Sequence, residues 1–145
     1  MKYCLISNFL KGGETVVKTD IYDYINVLDK AADASALRNK AIANNMANID
    51  TPGYKRQDVS FAANLEEALR HSRFESLDDK VGSIRLDRLR GKQYTDSEGY
   101  SYRLDGNNVD IDTENAELAK NNILYNGLTQ SLTAEFQNIR AVTQK

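Results

Sequence analysis

The chain has one histidine, His71, and one cysteine, Cys4. Nucleophilic catalysis needs a base within hydrogen-bond reach of the nucleophile. His71 sits between Arg70 and Ser72, on what reads as the exposed side of a short helix, a poor setting for that work. A zinc site needs three or four ligands in fixed geometry, and two isolated donors do not supply one. A lone cysteine also leaves no disulfide. Carboxylates are plentiful, yet they lie in helix flanks and polar loops, away from the apolar surroundings that raise a carboxyl pKa enough for acid catalysis. Gly12-Gly13 and Gly91 lack the strand, lysine and spacing of a phosphate-cradling loop. The expectation is no catalysis, no cofactor and no metal.

The polar groups that stand out are carboxamides. Of 14 asparagines, ten fall in two long segments that otherwise read as helices: Asn26, Asn39, Asn44, Asn45, Asn48, Asn115, Asn121, Asn122, Asn126 and Asn138. Each costs several tenths of a kcal/mol of helix propensity, about 0.6 relative to alanine, and Gly127 costs about 1. A carboxamide both donates and accepts, so it pairs with backbone or side chains of adjoining helices. So many in one chain point to helices contacted on several faces, the requirement of a subunit in an assembly. Gly127 suggests a close helix approach or a bend.

The elements that must position these residues follow from periodicity. Between Asp20 and Ile49 there is no proline or glycine. A 4-3-4-3 register runs Ile21, Ile25, Leu28, Ala32, Ser35, Asn39, Ile42, Met46, Ile49, the spacing of a coiled-coil seam. Asp20 is the expected N-cap. Pro52 disfavours helix at Thr51, and Pro52-Gly53 suits a type II turn, so the helix should stop between Asn48 and Asp50. A second register, Leu118, Asn121, Tyr125, Leu128, Leu132, Glu135, Ile139, Val142, follows "NNVDID", with Asp112 or Thr113 as cap and Glu114 and Glu117 near the positive end of the helix dipole. Neither stripe can be buried alone, so the two helices are expected to pair. Asn39 and Asn121 fall on the seams, where a polar residue fixes register.

Residues 57–108 change character. "SFAANLEEALRHSRF" places Phe61, Leu65 and Leu69 on one face of a short helix. Residues 75–99 are polar and read as a solvated loop, with a basic run at Lys80, Arg85, Arg88, Arg90 and Lys92 followed by acids at Asp96, Glu98, Asp105, Asp110 and Asp112. Alternation at Tyr100, Tyr102 and Leu104 before Asp105-Gly106 reads as a strand entering a turn.

With 19 basic and 21 acidic residues the net charge is −2, so no overall field attracts nucleic acid, and the basic run lacks the interleaved aromatics of a single-strand binder. No segment is long and apolar enough for a bilayer span. "MKYCLISNFLKGG" lacks a signal-peptide cleavage site. Lys11-Gly12-Gly13-Glu14 is what a purine-rich ribosome-binding sequence encodes, and Val16 or Val17 would suit a GTG start. Residues 1–17 are therefore expected to be a disordered or mis-assigned leader.

Two stretches carry a family resemblance. "ALRNKAIANNMANIDTPGYKRQDVSF", centred on Asn45, Ala47, Asn48, Thr51, Pro52, Gly53 and Tyr54, closely resembles the N-terminal signature of the flagellar rod and hook axial proteins. "NNVDIDTENAELAKNNILYNGLTQSLTAEFQNIRAVT" resembles the ending of the proximal-rod branch, with Lys120, Asn121 and Tyr125 in the matching arrangement. The Arg-Ala-Tyr-Glu-like ending of other members is missing. The resemblance covers about residues 20–65 and 105–143, and the leader departs from it.

It implies a subunit stacking helically with copies of itself and with other rod proteins. Neighbours would include membrane-ring and export-gate or adaptor components, in a rod crossing the periplasm or cell wall. It further implies export without a cleaved signal, and no nucleic acid or membrane insertion. Carried over by position, Asn44, Asn45, Asn48 and the turn Thr51, Pro52, Gly53, Tyr54 should form subunit contacts or the junction between helix and middle region. Ile25, Leu28, Ile42, Met46, Leu118, Tyr125, Leu132 and Ile139 should hold the hairpin.

The expected fold is mainly α. A long helix over 18–50 pairs with one over 109–145 as a coiled-coil hairpin, and the middle region 51–108 holds a turn, a short helix, a polar loop and a small β element. The expected function is a non-enzymatic structural subunit transmitting torque. Its rivals are another rod protein of the family and a helical-hairpin adaptor for a partner helix.

Overall fold

The computed structural model describes residues 20–70, 76–96 and 103–144. Helix α1 spans Asp20–Ala47, strand β1 Gln57–Ser60, helix α2 Ala62–Arg70, helix α3 Leu77–Gly82, strand β2 Lys92–Thr95 and helix α4 Ile111–Thr143. The chain is mainly helical, with its two long helices in contact and a small two-stranded sheet between them in sequence. His71, Cys4, Tyr100, Tyr102 and the leader lie outside the described residues.

α1 and α4 run antiparallel. Ser35 meets Asn121, and ten residues further along α1, Asn45 meets Glu114. The polar residues on the two registers find one another. The Ser35 hydroxyl donates to Asn121 Oδ1 at 3.1 Å, and Asn121 Nδ2 donates to the Ser35 carbonyl and to Asn39 Oδ1, each at 2.8 Å. Asn39 Nδ2 in turn reaches Asn122 Oδ1 at 3.3 Å. A slip of one turn would strand these buried carboxamides, so the layer selects one register at the expense of apolar packing.

α1 is buried on two sides. Ile25 and Ile42 lie on its α4-facing stripe, and Ala34 and Ala41, seven residues apart, face the sheet. A Cβ at Gly91 would stand 3.0 Å from both Ala34 Cβ and Val59 Cγ1, so β2 enters against α1 where only hydrogen fits. The strands pair antiparallel from Gln57 with Thr95 to Ser60 with Lys92. Val59, Val81, Leu89 and Val109 complete a core centred on the C-terminal half of α1.

Three local expectations change. The region expected to be a polar loop holds α3 and β2, because Val81 and Leu89 are buried anchors that make it structured. Of the strand expected at Tyr100, Tyr102 and Leu104, only Leu104 is among the described residues, and it is fully exposed in a turn next to Gly106, whose φ is 78°. The cap of α4 is Asp110, whose carboxylate accepts from the Asp112 amide and from the Thr113 hydroxyl. Asp112 and Thr113 are thus helical residues. The Thr113 hydroxyl, with the two amides, holds the Asp110 carboxyl below its ordinary pKa.

Candidate assembly junction

Where α1 ends, the chain must leave a helix without exposing buried carbonyls. Asn48 N–H still reaches Asn44 O and Asn45 O, and Asn48 Nδ2 donates to Asn44 O at 2.8 Å. The next carbonyls are gathered by Asn107, a fully buried side chain whose Nδ2 lies 3.0 Å from the carbonyls of Asn48, Ile49 and Thr51. Its Oδ1 accepts from the Val109 amide at 2.7 Å, which aims the following residues into α4. Thr51, Pro52 and Gly53 form an exposed turn closed by Tyr54 N–H on Thr51 O, and Gly53 has a φ of 71° as the type II geometry requires. That turn locks against the second one: Gly53 N–H donates to Asp105 O at 2.8 Å, and Lys55 Nζ to Gly106 O at 2.9 Å.

Asn45 is the centre of the junction and is fully buried. Its Nδ2 donates to Gln57 O at 2.8 Å and Glu114 Oε2 at 3.0 Å; its Oδ1 accepts from Gln57 N–H at 2.9 Å and the Tyr54 hydroxyl at 3.2 Å. All four bonding positions of the carboxamide are used. Toward Gln57 the side chain acts as a one-residue strand, pairing both backbone groups on the edge of β1 away from β2. No apolar residue and no carboxylate can do this. Burial, and then the nearby Glu114 carboxylate, raise the Tyr54 phenol pKa.

Glu114 has no solvent exposure, and its charge is met by Arg56 Nε at 2.5 Å. Arg56 also holds Asp96 at 2.7 Å and lies 3.5 Å from Asp58. Asp58 takes a two-pronged bond from Arg38, at 2.7 and 2.9 Å, and Arg38 reaches on to Glu117 at 3.0 Å. Burial works against the Asp58 charge, but the Arg38 bonds, the Val59 amide and the two guanidinium fields carry its pKa below the ordinary carboxylate value. Burial likewise opposes the Arg56 charge, and the bond to Glu114 leads the effects that raise its pKa nonetheless. These groups tie α1, β1, β2 and α4 into one network. Its carboxylates are each engaged by a guanidinium, an arrangement suited to fixing geometry.

Of the residues singled out from sequence, Asn45 and Tyr54 meet directly, and Asn48 joins Thr51 through a 3.1 Å hydroxyl bond. Asn44, Pro52 and Gly53 face solvent. On the helical stripes, Ile25 and Ile42 are buried; Leu28, Met46, Leu118, Leu132 and Ile139 are half-buried; and Tyr125 is 37% exposed. Sequence reasoning passed over Arg38, Arg56, Asp58 and Asn107 and gave Glu114 only a dipole role. The register of Leu118 and Asn121, read one turn back, lands on Glu114, and that was the available signal. Among the described residues, no group of three His, Cys, Asp or Glu side chains is placed to hold a metal, and no helix is long and apolar enough to cross a membrane.

Two long helices joined to a small sheet by a polar junction are the class of fold that the described residues define. Comparison with known proteins makes that class particular. The family model for flagella basal body rod protein matches residues 25–55, most of α1 and the turn after it. The flagellar basal body rod protein FlgB of Bacillus subtilis is 35% identical over 119 residues, covering 81% of this chain and 91% of that protein. The FlgB of Borrelia hermsii is 33% identical, covering 81% and 93%, and that of Escherichia coli 28%, covering 79% and 88%. The chain belongs to the FlgB family of flagellar basal body rod proteins.

Proposed function

We propose that this chain is a structural subunit of the proximal rod of the bacterial flagellum, and that its two long helices pair as a coiled coil that stacks with copies of itself and with other rod proteins. The observation that carries the reading is the likeness to FlgB over nine-tenths of the Bacillus subtilis protein. The rod turns with the motor, so its subunits transmit torque by holding shape. A network that locks the middle region to both helices suits that duty. The rod crosses the periplasmic space or cell wall, and the subunit reaches it by export without a cleaved signal. Membrane-ring and export-gate components are its further neighbours, and it carries out no catalysis.

Deletion of the gene, with motility and isolated basal bodies as readouts, tests the reading. Loss of swimming with no assembled rod, reversed by the wild-type chain, is the expected result. Motile cells with intact rods after deletion would overturn it. A His71→Ala chain should restore swimming fully.

A further inference from the structure

Just past Asn121, α4 carries large apolar side chains that are mostly exposed. Ile123 is 75% exposed and Leu124 53%. Between them and the next turn lies Gly127, where a Cβ would meet nothing within 4 Å, so no contact within the described chain requires a glycine there. Ile123 and Gly127, with exposed Lys120, share one side of α4 turned away from Asn121 and Leu128, whereas Leu124, three residues from Asn121 and four from Leu128, lies on the flank toward α1. Nearby hydroxyls are already satisfied: Thr129 donates to the Tyr125 and Asn126 carbonyls, and Ser131 to Gly127 O. This side presents exposed Ile123 beside a bare stretch of backbone at Gly127, and asks for few new polar partners.

The same chain holds the complement. On α1, Tyr22 is 56% exposed and Asp29 is exposed one heptad on, both on the side away from α4. Lys120 and Gly127 are also one heptad apart. Copies in a polar polymer share one orientation, and α1 is antiparallel to α4 within a chain, so α4 of one copy meets α1 of the next antiparallel. In that sense, pairing Asp29 with Lys120 brings Tyr22 onto Gly127, an exposed ring over a bare stretch of backbone. Charge, shape and spacing agree in one register.

We infer that the outer face of α4, at Lys120, Ile123 and Gly127, docks on the outer face of α1, at Tyr22 and Asp29, of a second copy of this chain. The inference rests on the rod reading and adds the contact that reading leaves unspecified. Because the two faces differ, the contact is head-to-tail and propagates, where a face meeting its own copy would close into a dimer.

Charge exchange tests it in the deletion strain. Asp29→Lys and Lys120→Asp should each abolish swimming, and the double exchange should restore it. Full motility of both single variants overturns the contact, as does a double variant as defective as the singles. Gly127→Leu should purify with equal or greater helicity yet fail to support swimming; a swimming Gly127→Leu strain also overturns it. Cross-linking reads the geometry in the purified full chain carrying Cys4→Ser. Asn26→Cys with Ile123→Cys in one chain should give a ladder on oxidation and either alone should not, whereas a dimer from Ile123→Cys alone would show a self-facing contact and sink the proposal. If the wild-type chain fails to restore the deletion strain, the rod reading itself falls; if it succeeds and these results fail, only the contact does.

Discussion

At the scale of single residues, Asn45 shows how propensity and tertiary bonding compete. Replacing it with alanine gains about 0.6 kcal/mol of helix propensity. It also removes four hydrogen bonds, leaving the Gln57 backbone groups unpaired and Glu114 without its amide donor. Each unsatisfied buried group costs roughly 1–3 kcal/mol. Asn45→Ala should therefore lose several kcal/mol in urea titrations despite higher intrinsic helicity; an unchanged midpoint would mean that the amide is replaceable. Arg56 is more exacting, because its loss leaves the Glu114 charge buried and unpaired, and Arg56→Met should cost about 3–5 kcal/mol.

The pH dependence follows from Asp58. Its folded pKa lies below the unfolded value of about 3.9, so its contribution is complete above that value and is lost as the pH falls toward the folded one. Thermal scans should show stability falling below about pH 4, with a shallower fall in Asp58→Asn.

At the scale of elements, the sheet is held on α1 by absence of a side chain as much as by contact. Gly91→Ala would press a methyl onto Ala34 Cα, 3.2 Å from the new Cβ, and backbone cannot turn aside. The expected cost is about 1–3 kcal/mol, read as a lowered melting temperature. Melting equal to wild type would show that β2 has room to shift. The two short strands were illegible in sequence for a related reason. "QDVS" and "KQYT" carry one apolar residue each, too few for a period, and they become strands because Asn45 and α1 supply what four residues cannot.

At the scale of the whole molecule, burial is uneven along α4. Its fully buried residues, Glu114 and Asn121, both lie in the first third of the helix, while Ile123, Leu124, Phe136 and Val142 are exposed beyond. Hydrogen exchange on the purified chain at low concentration should protect residues 111–122 and leave 123–143 exchanging faster, since unsupported helix opens locally. Uniform strong protection would favour a self-sufficient adaptor over a subunit awaiting neighbours.

What the sequence determined by itself is the pair of long helices and the turn at Pro52-Gly53, because periodicity and turn chemistry are local and each residue states its preference without knowing its neighbours. The same locality made the motif around Asn45 recognisable. Only the tertiary structure decided what that asparagine does. It is buried because β1 presents an unpaired backbone edge beside it and Arg56 brings a compensating charge to Glu114, and these partners lie 12 to 69 residues away along the chain. Long-range pairing of polar groups leaves no period to read, since a lone arginine or glutamate looks like surface until the fold removes the water around it.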